Sequence, residues 1–275
     1  MLDVAATMRD QATGLREMFE PPPGLAVLPM AATRLGAGFH SLVTNIAACY
    51  ARLGQRVIVI DTGAKGVAHA LGLRIPHDLA NLLSGEREFS DVVVNATEGF
   101  HVLKAQKGLA ELAKMAGDPA ELFLGFRRLA EPFDIAILAG HVTEVAAMTR
   151  SQDDLIFVTN PEGEALTATY AGIKRAHAEH EQNAFRVLVN RVDDEHEGIV
   201  AFKRLADTAR RFLGVSIEYG GSIPRDAALV AAERAQCSVY RVASTSSAAT
   251  QISQLVHSMQ AWRLGRYVLD EPCTE

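Results

Sequence analysis

Residues 25–45 read LAVLPMAATRLGAGFHSLVTN: an apolar run, a short loop holding Gly36 and Gly38, then a helical pattern. A run apolar on both faces suits a strand buried on both sides of a sheet. A strand feeding a glycine-containing turn and a helix opens a βαβ unit, because a crossover helix carries the chain back to add the next parallel strand. Outward from this stretch, apolar runs recur at 56–60 (RVIVI), 133–138 (FDIAIL), 155–159 (LIFVT) and 185–189 (FRVLV), with weaker ones at 100–103 (FHVL) and 215–218 (VSIE). Helical patterns fall between them at 39–53, 106–130, 164–182 and 197–213. The alternation predicts an α/β fold, a doubly wound and mostly parallel sheet flanked by helices.

Both ends carry further helical patterns. Ala5, Met8, Ala12, Leu15 and Phe19 return at helical spacing and stop at Pro21, Pro22 and Pro23, which cannot continue a helix. A helix this short is unstable alone in water, so it needs a partner surface. At the other end, a helix over 246–264 would align Ala248, Ile252, Leu255, Met259 and Trp262, flanked by Arg263 and Arg266. Its polar face is mostly Gln, Ser and His, too poor in Lys and Arg for a membrane-surface helix, so packing against the domain and at most weak membrane contact are expected. The organisation is thus an N-terminal helix at 1–20, a proline-rich spacer at 21–24, an α/β domain at 25–245, and a C-terminal helix and tail at 246–275.

Composition removes several classes of function. The 275 residues are 48% hydrophobic and 22% charged, enough for one large core, and 27 Lys and Arg against 33 Asp and Glu leave a formal charge of −6. A surface of that sign repels polyanions, so nucleic acid is not expected as a partner. Cys49, Cys237 and Cys273 are widely spaced, without the pairs a zinc site or disulfide framework needs. No stretch has the ~18 to 20 uninterrupted apolar residues of a membrane span, nor does a basic region precede an apolar one at the start. A cytoplasmic location follows as the expectation.

In an open parallel sheet, ligands bind beyond the carboxyl ends of the strands. The loop at 31–45 stands where a phosphate loop, G-x-x-x-x-G-K-[ST], would lie. There, backbone N–H groups cradle phosphates, the Lys neutralises charge and the hydroxyl holds magnesium. With Gly38 as the second glycine, Thr33 replaces the first, Phe39 the Lys and His40 the hydroxyl. As a dinucleotide fingerprint, the run Gly36 to Ser41 lacks its third glycine. Two glycines and a helix N-terminus keep a geometry that attracts anions, and equally that of a turn needing glycine to pack closely. His40 and His141 lack a third metal ligand, and His177 and His180 lie beside Glu179 and Glu181 as on a solvated helix face.

The order and spacing of several segments resemble the MinD/ParA group of deviant P-loop ATPases, and within it the flagellar-number regulators (FlhG, also called FleN). They are Asp10-Gln11-Ala12-Thr13-Gly14-Leu15-Arg16, Asn45-Ile46-Ala47, Leu53 to Val57, Gly99 to Leu103, Val158 to Glu162, Val189 to Val192, Arg211 to Val215 and Gly221 to Asp226. The resemblance implies ATP or ADP as cofactor. It also implies losses: the family's signature Lys aligns with Arg34, the next glycine with Leu35, the second carboxylate after the second strand with Gly63, and the Walker B aspartate with Ala139. Nucleotide-binding positions retained are Gly36, Gly38, Asp61, Asn190, Arg191 and Pro224, with Asp226 in the adjoining turn.

The expected nucleotide is therefore held weakly and without magnesium, or not at all, in which case Asn190 caps a strand end and Pro224 shapes a turn. Each lost donor or ligand should cost about 3 kcal/mol of transition-state stabilisation, so hydrolysis is expected at background. By the same resemblance, Asp10, Gln11, Leu15 and Arg16 match the helix that docks on an FlhF-like GTPase of the signal-recognition type. A flagellar transcriptional activator or switch protein, and a second copy of the chain, are the further implied partners. A cytoplasmic location, polar or peripheral at the inner membrane face, accompanies that role. The competing expectations are an ATP-switched dimeric ATPase with an unorthodox phosphate loop, and a scaffold in another polar or envelope system.

Overall fold

Leu25–Ala32 forms strand β1, with all eight residues buried; it stands in the middle of the sheet because both of its faces are apolar. The computed structural model describes residues 24–33, 38–64, 66–114, 119–129 and 132–268. The N-terminal helix residues Asp10, Gln11, Leu15 and Arg16, the prolines, and loop residues Arg34, Leu35 and Gly36 lie outside them. The remaining strands are β2 (Val57–Asp61), β3 (Val93–Asn95), β4 (His101–Lys104), β5 (Ile135–His141), β6 (Leu155–Thr159), β7 (Phe185–Val192), β8 (Ile217–Pro224) and β9 (Gly265–Tyr267). Their order is β3-β4-β2-β5-β1-β6-β7-β8. All these neighbours pair parallel except β3 on β4.

The pleat of β1 divides the core in two, since successive side chains point to opposite faces. Leu25, Val27 and Ala31 join Phe123, Phe126, Ile173 and Leu205 on one face. Ala26, Leu28, Met30 and Ala32 join Leu42, Ile46, Ile252 and Val256 on the other. Helix Phe39–Arg52 and helix Ser247–Ser258 therefore cover the second face together. Among the described residues no helix is long and apolar enough to cross a membrane.

Within the 106–130 pattern, Gln106–Lys114 and Pro119–Arg127 are helical, and residues 115–118 lie outside the described residues. One predicted helix ends differently. The C-terminal helix stops at Ser258 rather than 264, passes through a 3₁₀ turn at Met259–Ala261, and reverses into β9. β9 pairs antiparallel with Leu25, Ala26 and Val27 of β1, where β6, which meets β1 only at Met30 and Ala31, leaves an edge open. The reversal is fixed by Asp154, whose carboxylate accepts the Arg263 N–H at 3.2 Å and whose own N–H donates to the Arg263 carbonyl at 2.7 Å.

Candidate functional site

The carboxyl ends of β1, β2, β5, β7 and β8 meet at one edge of the sheet, and helix Phe39–Arg52 starts there. A cavity of about 480 Å³ lies between this helix and the ends of β7 and β8, lined by Gly38, Ser41, Leu42, Asn190, Arg191, Pro224, Asp226 and Glu233 among others. It brings together Gly38, Asn190, Arg191 and Pro224, which the sequence selected from loops up to 186 residues apart (38 to 224). Gly38 has φ +70°, and a Cβ there would lie 2.7 Å from Asn190 Nδ2, so both backbone conformation and close approach demand glycine. Asn190 is 4% exposed, and its Oδ1 accepts the Arg191 N–H at 3.0 Å. Asp226 has both oxygens committed, accepting N–H groups of Ala228 at 2.8 Å and Ala248 at 2.9 Å. The Ala248 bond is the main reason its carboxyl is held below the ordinary range. Asp226 thus shapes the wall of the cavity as a helix cap.

A second cavity, about 420 Å³, lies at the ends of β1, β2 and β5, where Thr33, Phe39, His40, Thr62, Gly63, Gly140 and His141 converge. Phe39 is 2% exposed and contributes to the core beneath; its ring meets His40 edge-on, with centroids 5.3 Å apart. Ala139 is buried in β5 between Met30 and Asp61.

Asp61 is not part of either cavity. It is 1% exposed, accepts the N–H groups of Gly63 at 3.1 Å and Ala68 at 3.0 Å, and borders a separate space of about 230 Å³ with Lys104. A Cβ on Gly66 would overlap its Oδ1. Burial pushes its pKa up, against the pull of these hydrogen bonds and Lys104. The carboxylate therefore organises the loop after β2.

Burial, with His69 second, lowers the pKa of His40, so its imidazole is kept neutral. Because its folded pKa lies below the unfolded value of about 6.5, the unfolded chain takes up the proton first as pH falls. Stability should therefore fall as pH drops through about 6.5, until the folded pKa is passed. In urea titrations from pH 7.5 to 5, His40→Asn should flatten that decline relative to wild type; an unchanged slope would remove His40 as its source.

His141 caps the short helix Val142–Ala147, its Nδ1 3.4 Å from the Thr143 N–H and 3.6 Å from Glu144. His40 and His141 share the second cavity, yet no group of three or more His, Cys, Asp or Glu able to hold a metal occurs among the described residues. His177 lies near its own helix end, Nδ1 3.0 Å from the Gln182 carbonyl. Glu233 and Thr44 were not selected from the sequence. Glu233 sits on the eight-residue helix Ala227–Arg234, too short for periodicity to reveal, and Thr44 is one polar residue in a long helix.

No family model matches the chain. It is 28% identical over 235 residues to the antiactivator FleN of Pseudomonas aeruginosa, covering 83% of this chain and 84% of that protein. It is 22% identical over 201 residues to the flagellum site-determining protein YlxH of Helicobacter pylori, covering 70% and 68%. Among solved structures, the MinD cell division protein of Aquifex aeolicus matches with TM-score 0.65 and 18% identity over 86% of this chain and 96% of that one. MinD of Pyrococcus horikoshii, complexed with Mg-ADP, matches with TM-score 0.59 and 17% identity over 85% and 95%. The fold is that of the MinD-type proteins, and in sequence the chain is similar to the antiactivator FleN and the flagellum site-determining protein YlxH.

Proposed function

We propose that the protein is a flagellar regulator of the MinD type that acts by binding other proteins, with the base-holding half of a nucleotide pocket kept and the phosphoryl-transfer half lost. The observation that carries this reading is Phe39: the residue aligned with the phosphate-loop Lys is an aromatic ring, 2% exposed and part of the core. Kinship to FleN and YlxH supports the flagellar assignment. The cavity bounded by Gly38, Asn190, Arg191 and Pro224 supports an adenine site. Magnesium does not fit the donor set. His40 stands for the metal-bound hydroxyl, Gly63 and Ala139 for the two carboxylates, and a neutral imidazole, a glycine and a buried methyl group supply no hard anionic oxygen.

Regulation then passes through protein contacts. Residues 1–20, with Asp10, Gln11, Leu15 and Arg16, would engage an FlhF-like GTPase: Leu15 anchors in an apolar pocket while Gln11 and Arg16 supply hydrogen bonds and charge. The α/β body serves as scaffold for a transcriptional activator, a switch protein or a second copy. Titration calorimetry with ADP and ATP, with magnesium and with EDTA, tests the pocket; phosphate release tests turnover. Weak binding indifferent to magnesium, with release no faster than buffer, is expected. Saturable magnesium-dependent binding with turnover would instead establish the ATP-switched ATPase. Retention of the GTPase by wild type, lost in Leu15→Asp, is expected of the N-terminal helix.

A further inference from the structure

We infer that Arg191 is the phosphate-holding residue of this pocket, and that it receives the phosphate of an adenine nucleotide without a metal ion by leaving Glu233. The inference rests on the base-pocket reading above and adds to it which residue meets the anion and how the site is gated.

Arg191 follows Asn190 in β7 and has φ +61°, in the left-handed region that a long side chain seldom adopts without a reason. Its guanidinium lies over the start of helix Phe39–Arg52: a Cβ on Gly38 would be 3.2 Å from Nε and 3.4 Å from Nη2. The cation that the phosphate loop lacks at Phe39 is thus supplied from a different strand.

Arg191 and Glu233 form a partition. The 480 Å³ cavity and a neighbouring one of about 280 Å³ share Gly38, Ser41, Arg191 and Glu233, and the ion pair between them is 3.9 Å long with both side chains about two-fifths exposed (41% and 42%). A pair that long and that wet is weak, whereas a phosphate offers a guanidinium two parallel charge-assisted hydrogen bonds. Exchange of Glu233 for phosphate would join the two spaces.

The smaller cavity shows what would meet the anion there. Thr44, one of its lining residues, is 3% exposed and its Oγ1 has no hydrogen-bond partner among the described residues; buried hydroxyls are rarely left so. Helix Phe39–Arg52 also has neither a side-chain cap nor an acidic residue in its first turn, so its N–H groups and positive end face the same place.

The test uses the full-length protein in EDTA, titrated with adenosine, AMP and ADP. Wild type should bind AMP and ADP more tightly than adenosine. Arg191→Ala should weaken AMP and ADP about 10- to 100-fold, the span of a charge-assisted pair, and adenosine, whose pocket Arg191 also lines, by clearly less. Glu233→Gln should tighten ADP several-fold, and Arg191→Lys should restore part of the loss. Equal weakening of adenosine and ADP in Arg191→Ala, or no change in either, would overturn the role of Arg191 while leaving the base pocket standing. Failure of wild type to bind any of the three would overturn the base pocket and this inference with it.

Discussion

Asp154→Ala is expected to unfold at least about 6 °C below wild type, since removing one partner of a buried ion pair costs about 3–5 kcal/mol and a chain of this size loses about 2–4 °C per kcal/mol. Asp154 has no exposed surface. It accepts Arg186 Nε at 3.0 Å and Nη2 at 2.8 Å, and Arg263 pairs with it at 3.2 Å. Arg186, whose side chain is 9% exposed, stacks over Trp262 with its guanidinium carbon 4.5 Å from the ring centroid. Among the described residues, alanine would leave that arginine with Glu218 as its carboxylate partner, at 2.6 Å but half-exposed, and would free the segment that turns the chain into β9. Amide exchange in Gly265–Tyr267 should therefore accelerate before global unfolding. Asp207→Ala breaks a still shorter pair, 2.6 Å to Arg210, but in open solvent, and no measurable change is expected. Equal melting temperatures for the two variants would show that the cluster does not fasten the C-terminal segment.

That cluster also marks where sequence reading stops. β1, β2, β5, β6 and β7 were legible because each is a short run apolar on both faces, a demand that only a covered parallel sheet makes. The order of loops around the site was legible too, since residues following such strands must meet at one edge. β9 was not: Gly265, Arg266 and Tyr267 carry no strand pattern, and they pair because β6 leaves the start of β1 uncovered. Periodicity carried the C-terminal helix past Ser258, since an apolar residue at Trp262 fits a helical stripe as well as a stack beneath Arg186. Asp61 shows the same limit at the site. Its place after β2 was readable, but its commitment to the N–H groups of Gly63 and Ala68 depends on how the loop folds back. Nor could spacing reveal Glu233, which reaches Arg191 from the helix that follows β8.

Phe39→Lys should lose stability and gain no turnover, although it restores the most conspicuous residue that the phosphate loop lacks. Phe39 is 2% exposed and belongs, with Leu42, Val43 and Met30, to the core on the second sheet face. Deleting such a ring costs about 3–5 kcal/mol, and an ammonium in its place adds the desolvation of an unpaired charge, which lysine relieves only by losing its proton or swinging out. A neutral or displaced lysine does not neutralise phosphate. Catalysis would still want the groups at His40, Gly63 and Ala139, each about a hundredfold in rate, so adding one leaves hydrolysis many orders of magnitude short. Urea denaturation should show the loss of stability, and phosphate release by Phe39→Lys should equal that of wild type and of buffer. If the lysine variant proved as stable as wild type and released phosphate faster, the ring would be a plug in a working site, and the loss of function would have to be sought in the loop alone.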